Sequence, residues 1–458
     1  MILFLLGKNM LKNLNFYLII FILIASNTEA SIEVNYLKRK VRQTNTEKEL
    51  YVPSKFFTKS DLKNRHSSVE KKAEKILEII RTQIYIEREI EKFDILNILS
   101  MNKIIIENKN NYIGKNRSIY FLSEDGFSIF ALQVYNNGHS YIHINNDDPN
   151  WSKGGFKHFS RSISIENLNI YANLDIALDK PRSLEKHIEE LKIMDDHQLS
   201  KYNLTYRDYD IYNSKQEDNV VSKMTIQTKL FSHDLSLVKN KGYTLYEKLK
   251  ISFLIVKSIR EMHKKGYIHR DIKSKNILLQ RVNNNIEVSL ADYGLSLHQK
   301  NSNFGRHIAG TRGYIAPESC LSKNQSGFAY LNFSSAKKSD IFSLALTLDE
   351  LFFDNYKLKE FTTEVNNISL PKDKKKPINS LRLKESVASY NREHKKILES
   401  IIQVDRGDTK EKQIMYHLKR LIWQMSHPNY EERPTLSHIG KTLVQLKKFC
   451  NSDEVELQ

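Results

Sequence analysis

The segment Tyr267-Ile268-His269-Arg270-Asp271-Ile272-Lys273-Ser274-Lys275-Asn276 constrains this chain more than any other. A helix-patterned run leads directly into it, with Leu249, Phe253, Val256, Ile259 and Met262 on one face. Sixteen residues past Asn276, Asp292-Tyr293-Gly294 follows the strand-like Val288-Ser289-Leu290-Ala291. Gly310-Thr311-Arg312-Gly313-Tyr314-Ile315-Ala316-Pro317-Glu318, then Ser339-Asp340-Ile341-Phe342-Ser343, then Glu432-Arg433-Pro434-Thr435 come in turn. Any one of these, alone, is a turn or a surface patch. Five in this order over about 170 residues impose one fold.

The order resembles that of the eukaryotic protein kinases of the Ser/Thr type, over about residues 104 to 447. The resemblance implies an α+β, bilobal fold with a strand-rich small lobe, a helical large lobe, ATP and Mg2+ as cofactors, and protein substrates. Phosphoryl transfer needs a carboxylate that orients the attacking hydroxyl and further oxygen ligands for the metal. By resemblance Asp271 takes the first role, Asn276 and Asp292 hold magnesium, and Lys273 neutralises the transferred phosphate. Thr311 then steadies Asp271 and Lys273, Gly294 closes the metal-binding motif, and Tyr293 stands where the family has Phe. Glu318 needs a buried partner, for which Arg433 is placed, and Asp340 supports the catalytic loop backbone. Arg270 beside Asp271 implies control by a segment from about Leu295 to Arg306, with Ser296 and Ser302 as candidate phosphate acceptors.

The small-lobe pattern departs from the family. Ile113-Gly114-Lys115-Asn116-Arg117-Ser118-Ile119-Tyr120-Phe121 aligns with the Gly-rich loop, but only Gly114 stands of its three glycines. Nineteen residues past Gly114, Gln133 occupies the phosphate-holding lysine position in Phe130-Ala131-Leu132-Gln133-Val134-Tyr135. Loss of one preorganised donor costs about 2.7 to 4 kcal/mol, roughly 10² to 10³ in rate, which leaves slow but measurable turnover; Lys115 or Arg117 offers replacement charge. The glutamate that pairs the lysine is Glu190, with Glu189 next to it, on a helix-patterned stretch from Ser183 to Leu199. This register requires an insertion from about Asn136 to Lys180. The alternative register makes Ile176-Ala177-Leu178-Asp179-Lys180 the lysine strand. Two functions follow: a Ser/Thr kinase, or a pseudokinase that binds partners.

Residues 1 to 30 have a basic start at Lys12, an apolar run from Phe16 to Ala25 and small residues ending at Ala30, the three parts of a secretion signal. Met10 is an alternative start. The apolar run is too short to span a bilayer, which takes about 20 residues, so the mature chain is expected in a secretory compartment without a transmembrane helix. Residues 31 to 66 suggest a linker or pro-segment, 67 to 103 a helical extension that packs on the small lobe or lies on a membrane surface, 104 to 242 the small lobe and hinge, 243 to 447 the large lobe, and 448 to 458 a tail. Secretion, the degraded nucleotide loop and the Asn/Lys-rich composition also resemble the rhoptry kinases of intracellular parasites. The net charge of +17 favours acidic protein partners and anionic surfaces, with no specific nucleic-acid motif. Lys372 to Lys376 is an exposed loop or docking patch. Cys320 and Cys450 are too few for a disulfide framework, so the fold rests on its core.

Overall fold

The computed structural model describes residues 67–83, 95–96, 98–99, 117–122, 128–134, 139–144, 157–178, 181–196, 199, 202–216, 219–283, 285–301, 309–321, 332–353, 357–369, 380–403 and 409–452. The signal, the linker, Gly114, Lys115, Lys180, Ser302 and the Lys372–Lys376 run fall outside these residues. The chain divides into two compact units, one of residues 1–150, 162–169 and 215–220, the other of 151–161, 170–214 and 221–458.

In the first unit, helix α1 (Ser67–Gln83) buries Ala73, Ile76, Leu77 and Ile80 at the three- and four-residue spacing expected of an amphipathic helix. Glu70 in its first turn and Arg81 in its last suit the helix dipole. Strands β1 (Arg117–Leu122), β2 (Ser128–Val134) and β3 (Ser140–Ile144) form an antiparallel meander in that order, with Ser118 opposite Gln133 and Gln133 opposite Tyr141. The Ile165 N–H donates to the Ser140 carbonyl at 2.9 Å, fixing the turn that ends β4 (Lys157–Ser164).

In the second unit, β5 (Ile170–Ala177) is followed in the chain by helix α2 (Pro181–Met194). β6 (Tyr206–Gln216) and β7 (Asn219–Lys229) follow, and β7 pairs antiparallel with β5 from Tyr171–Lys229 to Ala177–Lys223. The stretch expected as an insertion therefore supplies β3, β4 and β5. Beyond β8 (His233–Asp234) the chain turns helical. Helix α3 (Leu245–Lys264) opens on a capping box: the Glu247 N–H donates to Thr244 Oγ1 at 3.2 Å and the Thr244 N–H to Glu247 Oε2 at 2.9 Å.

Four short strands then shape the site: β9 (Tyr267–Ile268), β10 (Ile277–Val282), β11 (Asn285–Leu290) and β12 (Leu297–His298). Among the described residues the unit continues with helices α4 (Pro317–Leu321), α5 (Phe333–Phe352), α6 (Lys357–Ser369), α7 (Ser380–Gln403), α8 (Lys410–Met425) and α9 (Leu436–Asn451). Helix α5 is buried nearly all round, with Ile341, Phe342, Leu344, Ala345, Leu346 and Leu348 in the core. Ile259, Met262, Leu418 and Leu443 are fully buried around it, each contributing about 1.5 to 3 kcal/mol of burial. Among the described residues no helix is long and apolar enough to cross a membrane.

Candidate active site

The β10–β11 hairpin is what brings the distant polar residues together. Its register pairs Ile277 with Leu290, and the Ala291 N–H continues the ladder to the Asn276 carbonyl at 2.9 Å. Asn276 and Asp292, sixteen positions apart, therefore emerge at the same end of one hairpin. Backbone pairing alone sets that proximity.

Asp271 lies 5% exposed between β9 and the 3-10 turn Ser274–Asn276. Its Oδ1 accepts the Thr311 N–H at 2.8 Å and the Thr311 hydroxyl at 2.7 Å. Its Oδ2 accepts Lys273 Nζ at 2.7 Å and Asn276 Nδ2 at 3.1 Å. Lys273 Nζ also donates to Thr311 Oγ1 at 2.7 Å, so a carboxylate, an ammonium and a hydroxyl form a closed triangle. Asn276 Nδ2 additionally donates to the Asp271 carbonyl at 2.9 Å, which commits the amide nitrogen and turns the amide oxygen the other way.

The loop carrying Asp271 is held from beneath. Buried Asp340 on α5 accepts the His269 N–H and the Arg270 N–H, each at 2.9 Å, and bonds His263 Nε2 at 2.8 Å. Burial alone would raise its carboxyl; the His263 bond and the His263 and His269 rings outweigh burial and hold it below the usual carboxylate range. His269, fully buried, accepts the Asp271 N–H on Nδ1 at 3.2 Å and meets the Ala291 carbonyl through Nε2 at 3.1 Å, a pair of bonds that suits an imidazole protonated on Nε2. Gly310 packs against the same loop, where a Cβ would stand 2.7 Å from the Arg270 carbonyl. Arg270 (φ 69°) and Asp292 (φ 64°) are both in the left-handed region, a strain that surrounding contacts must sustain and that clusters at functional sites.

Tyr293, in the Phe position of the motif, is fully buried. Its hydroxyl donates to the Leu290 carbonyl at 2.6 Å and accepts the Leu204 N–H at 2.8 Å, and its ring meets His269 edge-on at 5.7 Å. Burial pushes its hydroxyl pKa up, the Leu204 bond works the other way, and the Glu190 carboxylate adds to the rise. Glu190 is 4% exposed on α2, the helix that packs against the Tyr293–Leu295 turn. Its Oε2 bonds His187 Nδ1 at 3.2 Å, one turn back on the same helix, while Glu189 is exposed and pairs Lys192 at 2.6 Å.

The site thus gathers Asp271, Lys273, Asn276 and Thr311 in direct contact, with Asp292 and Gly294 at the end of the adjoining hairpin and Glu190 near Tyr293. Gln133 lies on β2 in the other unit, separated from α2 by three strands in sequence. Ser296 is buried and donates to the His269 carbonyl at 3.3 Å, so it is not presented for phosphorylation as expected. His263 and Glu350, which accepts Ser274 Oγ at 2.7 Å and the Tyr314 hydroxyl at 2.7 Å, were not foreseeable, because nothing local marks a residue whose partners in the site are 36 to 77 positions away.

The donor set suits magnesium. One carboxylate and one amide oxygen at a hairpin end, completed by phosphate oxygens, is the hard oxygen environment that ion takes. Among the described residues no three His, Cys, Asp or Glu side chains gather as a metal cluster, and a nucleotide-bound magnesium does not require one.

Residues 153–443 match the family model of the protein kinase domain. The chain is 38% identical over 120 residues, 25% of this chain and 8% of the relative, to probable serine/threonine-protein kinase fnkE of Dictyostelium discoideum. It is 27% identical over 139 residues, 30% of this chain and 37% of the relative, to calcium/calmodulin-dependent protein kinase type 1 of Caenorhabditis elegans. It is 27% identical over 215 residues, 46% of this chain and 29% of the relative, to leaf rust 10 disease-resistance locus receptor-like protein kinase-like 1.2 of Arabidopsis thaliana. The chain spans well under two thirds of the length of each.

Proposed function

This chain belongs to the protein kinase domain family, and on that premise we propose that it transfers the terminal phosphate of ATP to serine or threonine hydroxyls of proteins. The observation that carries the proposal is the closed triangle of Asp271, Lys273 and Thr311. Asp271 orients the incoming hydroxyl and takes its proton; Lys273, held 2.7 Å from that carboxylate, places positive charge where the transferred phosphate gains negative charge. Thr311 fixes both through one hydroxyl. Asn276 and Asp292 are the residues that would hold magnesium, which would supply charge neutralisation of the ATP phosphates. Incorporation of labelled phosphate from ATP into protein, measured beside Asp271→Asn, tests this reading.

The nucleotide-facing strand of this reading is β5. It is followed in the chain by the helix that bears Glu190, as the lysine strand of the family is, and the family match begins at residue 153, past Gly114, Lys115 and Gln133. Lys153-Gly154-Gly155-Phe156, which opens the matched span, then supplies the glycine-rich phosphate loop, two glycines letting backbone N–H groups approach the phosphates. Lys180, three residues past the end of β5, is the nearest lysine to that strand on the α2 side.

A second reading, a nucleotide-binding or empty scaffold, draws support from Asp179, an acidic residue and not a lysine directly after Ile176-Ala177-Leu178. A thermal shift with Mg-ATP and no phosphate transfer would favour a nucleotide-binding scaffold, since ligand bound to the native state raises its stability. The secretion signal at residues 1–30 supports action in a secretory compartment, and the +17 charge supports acidic protein substrates; the resemblance to rhoptry kinases rests on that same signal and composition.

A further inference from the structure

Away from the site, helices α3 and α9 leave a groove of about 500 Å³ along their line of contact. Its floor is apolar: Phe253, Val256, Leu436 and Val444, with Gly440 in the middle. Its rim carries Lys257, Arg260, Lys264 and Lys441 against the single acid Glu261. Gly440 is what keeps the floor open. A Cβ there would meet Val256 Cγ1 at 3.5 Å and Phe253 Cε2 at 3.9 Å, ordinary contact distances, so an alanine would fit and would favour the helix. The helix does without that gain, and the groove is deeper for it.

We propose that this groove docks the acidic segment of the same chain that follows α9, Asp453-Glu454-Val455-Glu456-Leu457-Gln458. Three carboxylates match the cationic rim, and Val455 and Leu457, two positions apart, fall on one side of an extended strand and match the apolar floor. Reach allows it. Val444 and Gly440 lie about 10 and 16 Å back along α9 from Asn451 at about 1.5 Å per residue, while an extended chain carries Val455 and Leu457 about 13 and 20 Å from the same point. Lys447, between Val444 and the end of α9, sits over the Phe253 ring at 5.8 Å and adds positive charge on the path of the segment. The segment leaves from Ser452, extended at φ −88° and ψ 168°, with its carbonyl held by Lys410.

Zero-length carbodiimide cross-linking of the full chain, mapped by mass spectrometry, tests this. The expected product joins Lys257 or Lys441 to Glu454 or Glu456 within one molecule. Val455→Ser with Leu457→Ser keeps every charge and lies outside the packed core, and it is expected to lower that yield about tenfold, the loss that follows when two apolar side chains lose their seat. Gly440→Leu, which fills the floor, is expected to do the same. Equal yield in the serine variant overturns the proposal, as do cross-links formed only between molecules. A fluorescein-labelled Asp453–Gln458 peptide that binds the intact chain as well as one truncated after Ser452 also overturns it, and assigns the groove to an acidic partner.

Discussion

Arg433 and Glu318, 115 positions apart, meet through two parallel hydrogen bonds of 2.7 and 2.8 Å, with the arginine side chain fully buried. The guanidinium also donates to the carbonyls of Lys338 at 2.9 Å and His427 at 2.7 Å, so one side chain ties α4, α5 and the turn before α9 together. Arg433→Ala removes both of these bonds to the Glu318 carboxylate, which also accepts the Ser339 hydroxyl at 2.7 Å, and is expected to cost about 3 to 5 kcal/mol. Arg433→Lys restores the charge but not the planar fork, and recovers little. Urea unfolding of the three proteins measures both; an unchanged midpoint for Arg433→Ala would contradict the structural role.

Tyr293→Phe removes the bond to the Leu290 carbonyl and the one accepted from the Leu204 N–H. Leu204 N–H also reaches the Leu290 carbonyl at 2.8 Å, so it keeps a partner. The expected loss is about 1 kcal/mol by denaturant titration, with phosphate transfer preserved, because Phe fills the same space and Asp292 is untouched.

Large parts of this site were legible because the information is local. Asp271, Lys273 and Asn276 lie within six residues, and the strand pattern before Asp292 fixes the hairpin that returns it to Asn276. Which strand stands in the lysine position was not legible. Phe130-Ala131-Leu132-Gln133 and Ile176-Ala177-Leu178-Asp179 carry nearly the same apolar pattern, and period-two alternation says nothing about which strand precedes which helix. The order of β5 and α2 in the chain is the observation on which the proposed choice rests. His187 was equally silent, since a histidine one turn from a glutamate is commonplace until both are seen to be buried.

Asp349 on α5 is buried, which raises its carboxyl to about 7, with Glu350 adding to the rise and Lys419 and Lys239 opposing it. Its folded pKa lies above its unfolded value, so the folded chain holds the extra proton and stability falls as pH rises from about 4 to 7. Asp349→Asn is expected to stabilise the protein by about 2 to 4 kcal/mol at pH 8 and by almost nothing at pH 4. A gain of equal size at both pH values would show that the charge is not the cause.

His394 on α7 works in the opposite direction. Burial pushes its imidazole down to about 4; its bond to the Trp423 carbonyl at 2.8 Å resists the fall, while His427 and Arg433 add to it. The unfolded imidazole takes up its proton near pH 6.5. Stability from the neutral ring is therefore complete above that pH and is lost as pH falls toward 4, by at most about 3 kcal/mol. Urea unfolding at pH 7 and pH 4.5 should show a steeper decline for the parent than for His394→Gln; parallel declines would rule the ring out.

Phosphate transfer from ATP by the purified chain, with magnesium and beside Asp271→Asn, bears most directly on the triangle around Asp271. The asparagine keeps the size of the side chain but cannot take the proton of the hydroxyl, so the parent should incorporate phosphate about 10² to 10⁴ times faster. Equal incorporation by the two proteins, both folded by thermal unfolding, would contradict the assignment.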